Sequence, residues 1–97
     1  MSIFKEIGSA ATNVEIISSA DYSANSNINV SSIKVTNHHT ADSQVKVTLV
    51  SGSTSFVVFQ VIIPKNTTLV YDDAFSYPQA DSLKITTTTG NLTLMIN

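Results

Sequence analysis

Few side chains in this chain of 97 residues could act on a ligand, and their spacing is poor for it. His38 and His39 are adjacent, and two imidazoles on a loop can chelate a transition metal. A protein zinc site needs three or four donors, and only Asp42 stands nearby in the sequence. Two solvated rings, or a pH-sensitive subunit contact, suit the pair better, because histidine titrates near neutrality. Asp72, Asp73 and Asp81 offer oxygen donors of the kind Ca²⁺ takes, but their spacing matches no Ca²⁺ loop. Aspartates that close a strand more often bond to the backbone of a turn. Glu6 and Glu15 are the only glutamates, so no pair of acids is set up to flank a glycosidic bond. Serine is abundant, yet no G-x-S-x-G elbow accompanies it. Cysteine is absent, which removes disulfides, thiolate metal sites and thiol nucleophiles. The reading is therefore of a non-enzyme with no catalytic residue, cofactor or metal.

The elements that would position these groups read as strands. Alternation of apolar and polar residues is the mark of a half-buried strand. With polar turns between them, the segments that read as strands are Val14–Ser18, Ile28–Asn37, Gln44–Val50, Ser55–Ile63, Thr68–Tyr71, Ser82–Thr88 and Leu92–Ile96. Within Ile28–Asn37 the parity switches: Ile28 and Val30 share one face, Ile33 and Val35 the other. A period of two cannot absorb that, so a bulge or bend is expected at Ser31-Ser32. Ser51-Gly52-Ser53-Thr54 predicts a tight hairpin turn. Asp21–Asn27, His38–Ser43 and Ala74–Asp81 read as loops. The expected fold is all-β, an antiparallel sandwich or jelly roll of about seven short strands spanning 14–97. Residues 1–13 form an N-terminal arm, in which the spacing of Ile3 and Ile7 suits one helical turn and an edge strand equally well.

Composition narrows the partners. Charged residues make up 12% of the chain, about half the usual share. Ser, Thr, Asn and Gln fill the gap. Five scattered lysines, no arginine and a net charge of −2 make a poor phosphate-binding surface, so nucleic acid is not expected. No apolar run approaches the roughly 18 residues of a membrane span. No basic segment followed by an apolar stretch opens the chain, so assembly in a cytoplasm is expected. The N-x-[ST] sequons at Asn29, Asn66 and Asn91 are what a chain so rich in Ser and Thr contains by chance.

One strand is apolar on both faces. In Phe56-Val57-Val58-Phe59-Gln60-Val61-Ile62-Ile63, Phe59, Val61 and Ile63 are expected to line the core, with Phe56, Val58 and Ile62 pointing the other way. A loop, the N-terminal arm or a second subunit must cover them. Ile3, Phe4, Ile7, Phe56, Val58 and Ile62 are the expected subunit contacts. The loop with Phe75, Tyr77 and Pro78 either caps the core or meets a partner.

From about Ile28 onward the chain resembles small β-sandwich virion proteins of tailed bacteriophages, particularly those of marine bacteria. The residues that carry the resemblance are Val30-Ser31-Ser32-Ile33-Lys34-Val35-Thr36-Asn37, then Val45-Lys46-Val47-Thr48-Leu49. An apolar strand running into Ile63-Pro64, then Leu69-Val70-Tyr71-Asp72-Asp73 and Ala80-Asp81-Ser82-Leu83-Lys84-Ile85, complete it. Ala80 stands where glycine is common in those chains. The resemblance covers roughly 70 residues, mostly core and turn pattern. It implies a structural role in a virion: a capsid decoration or cement subunit, or else a neck, tail or fibre component. It brings no catalytic residue. The implied partners are further copies of the chain, as a trimer because capsids have local threefold axes, and other virion proteins such as the major capsid protein. A competing reading is a glycan-binding module in which Tyr22, Tyr71, Phe75 and Tyr77 stack on sugar rings.

Overall fold

A computed structural model describes residues 2–17 and 27–97. Among them are ten strands and no helix: β1 (Ile3–Ile7), β2 (Val14–Glu15), β3 (Asn27–Val30), β4 (Ile33–Asn37), β5 (Ser43–Ser51), β6 (Thr54–Ile63), β7 (Thr67–Tyr71), β8 (Phe75–Pro78), β9 (Ser82–Thr87) and β10 (Leu92–Ile96). The fold is all-β and sandwich-like. One antiparallel sheet has the order β1-β10-β4-β7, the other β2-β9-β5-β6, and β3 pairs with β8 alone.

The alternation of side chains builds the interior. Ile33 and Val35 from β4 and Leu92, Leu94 and Ile96 from β10 face Val45 and Val47 from β5 and Leu83 and Ile85 from β9, all at most 1% exposed. Each such side chain, fully buried, contributes roughly 1.5–3 kcal/mol of transfer free energy. Ile16, Ile17, Ile28, Val30, Ile63 and Tyr77 complete the core.

The parity switch at Ser31-Ser32 is where the chain leaves β3 and enters β4. β3 pairs with β8, whereas β4 lies between β10 and β7. The backbone of Asn97 fixes the bend: its carbonyl accepts from the amides of Ser31 and Ser32, and its own amide donates to Ser32. The hairpin turn lies at Gly52-Ser53, with Gly52 at φ 60° and Ser51 paired to Thr54. A left-handed φ of this kind is most readily met by glycine.

Three segments differ from the pattern read in the sequence. Residues 3–7, open there between a helical turn and an edge strand, form β1, which pairs with β10 from Ile3↔Ile96 to Ile7↔Leu92. The segment around Phe75, read as a loop, forms β8, because β3 supplies it with a partner ladder. Of the strand expected over Val14–Ser18, Val14 and Glu15 form β2 and the Ile16 amide donates to the Leu83 carbonyl, while Ser18 and most of the Asp21–Asn27 loop lie outside the described residues.

Candidate functional site

Among the described residues, no three His, Cys, Asp or Glu side chains come together as a metal site. Asp42 Oδ1 accepts the amide of Lys65 at 3.1 Å, fastening the β4–β5 loop to the β6–β7 turn. Asp72 and Asp73 are exposed after β7, and Asp81 donates its backbone amide to Pro78. His39 Nδ1 accepts the amide of Ala41 at 3.1 Å, a local turn contact.

One cluster was not visible in the sequence, because its members are far apart in the chain. Register places Glu6 of β1 opposite Thr93 of β10, and His38 follows directly on β4. Glu6 Oε1 lies 2.7 Å from His38 Nε2, and the Thr93 hydroxyl donates to Glu6 Oε2 at 2.7 Å. Thr93 Oγ1 also lies 3.2 Å from the same His38 Nε2. A Ser-His-Asp-type relay joins acid and nucleophile through opposite ring nitrogens. Here both partners meet one nitrogen, so the ring cannot pass a proton between them in that way. The Thr93 hydroxyl holds the Glu6 carboxyl below its ordinary pKa; slight desolvation works against it, and His38 adds to it. The pair is about half exposed, so it ties β1 down only weakly.

The larger features are apolar. β6 stands at the edge of its sheet and is ten residues long. Its ladder with β5 steps from Val47↔Phe59 to Thr48↔Val57, leaving Val58 as an extra residue. A bulge of one residue reverses the side-chain parity beyond it. Phe59, Val61 and Ile63 therefore turn inward on one side of Val58; on the other, Phe56 stands opposite Leu49 but stays largely exposed. Val57 and Ile62 face outward. Phe56, Val58 and Ile62 accordingly do not share a face as alternation alone implied. Phe56, Val57 and Ile62 are 55%, 54% and 63% exposed, while Val58 is half-buried and packs against the core. Val57 is thus an exposed position that alternation alone did not single out.

The outer face of the β1-β10-β4-β7 sheet carries a second row with exposed apolar residues, interrupted by Lys34. Register aligns Phe4, Met95, Lys34 and Val70 across the four strands. Phe4 and Val70 are exposed, and Ile3 and Ile7 are half-buried against the core. The neighbouring row, Glu6, Thr93, Thr36 and Thr68, is polar, with Thr36 and Thr68 hydroxyls 2.9 Å apart. Between the edges of the two sheets, Ile62, Ile63, Pro64, Thr67, Thr68 and Leu69 line an open groove of about 220 Å³.

The aromatic side chains close the same flank from within. Phe59 and Tyr71 stack at 5.0 Å between ring centroids, joining β6 to β7. Tyr71 meets Phe75 edge-on at 6.5 Å, and Phe75 stacks on Tyr77 at 6.2 Å. Tyr77 is buried and Phe75 half-buried. Ring faces that cover one another are not offered to a sugar. Tyr22, the other member of that aromatic set, lies outside the described residues.

No family model, curated protein or solved structure matches the chain.

Proposed function

We propose that this chain is a non-enzymatic structural subunit of a tailed-bacteriophage particle. In this reading it is a capsid decoration or cement protein that binds the major capsid protein and further copies of itself. The observation that carries the reading is β6: an edge strand of ten residues with no charged side chain, exposing Phe56, Val57 and Ile62. Exposed apolar strands at a sheet edge invite association, and soluble proteins usually protect them. The row of Phe4, Met95 and Val70 gives the opposite sheet a second contact face. Among the described residues, no three His, Cys, Asp or Glu side chains come together, which supports a structural role. The assignment to a virion rests on the sequence resemblance, and the sandwich-like all-β architecture is compatible with it.

The test is addition of the purified protein to capsids of the phage that carries it, prepared without this chain. Saturable co-sedimentation at a fixed ratio to the major capsid protein is expected. Co-sedimentation with isolated necks, tails or fibres instead would move the protein within the particle. Binding to neither would overturn the proposal, and binding to a glycan array in their place would establish a recognition module.

A further inference from the structure

We infer that β6 pairs antiparallel with β6 of a second copy about a two-fold axis at Val61, so that two four-stranded sheets become one. This rests on the reading of β6 as a contact surface and names the partner that covers it.

Comparison of the four edges of the two four-stranded sheets singles out β6. β2 has two residues, one of them Glu15. β1 carries Lys5 and Glu6. β7 is five residues long, with Lys65 shortly before it and Asp72-Asp73 directly after. Charges, short length and proline are the usual devices that keep an edge from pairing. β6 has none of them within its length: Phe56–Ile63 is aromatic, β-branched or Gln throughout, without charge, proline or glycine. Such a segment pairs well with a copy of itself. Two copies of a chain with net charge −2 repel weakly, and the strands that meet add no charge of their own.

The bulge fixes which part pairs and why assembly stops at two. Beyond Val58 the stretch Phe59–Ile63 is regular, and Pro64 ends it because it has no amide to donate. A two-fold at Val61 places Phe59 opposite the second copy's Ile63 and Gln60 opposite its Ile62. Phe59 and Ile63 both face inward and Gln60 and Ile62 both outward, so the register respects the pleat. The second strand then lies along the groove edge at Ile62–Pro64. An isologous contact of this kind uses each edge once and closes. It gives a dimer where capsid symmetry alone suggested a trimer.

Sedimentation equilibrium across the micromolar range tests the stoichiometry. The wild-type chain is expected to be a dimer. Ile62→Lys sets two ammonium groups diagonally across the axis and is expected to weaken the dimer at least about tenfold. Val57→Lys, beyond the bulge, is expected to leave it unchanged. The chain has no cysteine, so Val61→Cys is expected to cross-link to itself on mild oxidation. Circular dichroism checks the folding of each variant, and the Val61→Cys cross-link decides the matter if the lysine variants unfold. A wild-type monomer or trimer, an Ile62→Lys dimer of undiminished strength, or no Val61→Cys cross-link would overturn the inference. A monomer that still binds capsids would remove the dimer and leave the capsid reading standing. A dimer that ignores capsids would do the reverse.

Discussion

Thr48 sits between Lys84 and Val57 on the outer face of β5, yet it is only 4% exposed, and its hydroxyl has no hydrogen-bond partner. A buried polar atom without a partner retains its desolvation cost. Thr48→Val should therefore raise stability by about 1 kcal/mol, read as a higher denaturant midpoint. Asn37 is the opposite case. Its side chain is fully buried and donates from Nδ2 to the carbonyls of Ala41 and Ile63, while Oδ1 accepts the amide of His39. It ties β4, the β4–β5 loop and the end of β6 together. Asn37→Ala should cost about 3 kcal/mol, because it strands backbone groups in the interior. Glu6 gives a pH signature. Its folded-state pKa is depressed, so its contribution is present above the ordinary carboxylate range and is lost as pH falls through the depressed value. Melting curves of Glu6→Gln should show a smaller loss of stability on acidification than those of the wild-type chain. An equal loss would mean that the Thr93 and His38 contacts do not hold in solution.

At the scale of elements, the strands whose residues alternate cleanly were legible. β4, β9 and β10 bury every second side chain, as β5 does from Ser43 to Val47, and the two-residue period states which one. The bend at Ser31-Ser32 was legible for the same reason, since a parity switch has to be accommodated somewhere. The bulge at Val58 was not. An apolar run on both faces has no parity to break, so the sequence holds no mark of the extra residue. That is why alternation does not single out Val57 as an exposed position and places Val58, which packs against the core, with the outward residues. β8 was missed because four residues ending in proline gain strand character only from β3. The Glu6–His38–Thr93 cluster depends on register between β1 and β10, which lie at opposite ends of the chain. A close approach nearby offers a test. A Cβ on Gly90 would lie 2.4 Å from the Gly8 carbonyl oxygen, whereas one on Gly8 would meet nothing within 4 Å. Gly90→Ala should destabilise by about 2 kcal/mol through forced backbone displacement. Gly8→Ala, at an exposed and open site, should change the unfolding free energy by less than about 0.5 kcal/mol.

At the scale of the molecule, sixteen apolar side chains among the described residues are withdrawn from water, while Phe4, Val14, Phe56, Val57, Ile62 and Val70 are left largely in it. Single exposed apolar residues are ordinary. Three of these, however, share one uncharged edge strand, and two others lie in one row across the opposite sheet. Their concentration is what supports the proposal that the molecule fits against other proteins. The direct measurement is a cryo-EM reconstruction, at side-chain resolution, of the phage particle that carries this chain. Phe56, Val57 and Ile62 should lie against neighbouring protein on the capsid shell, with Phe59–Ile63 extended by a further strand. A particle without the chain, or one in which β6 faces open solvent, would contradict the proposal.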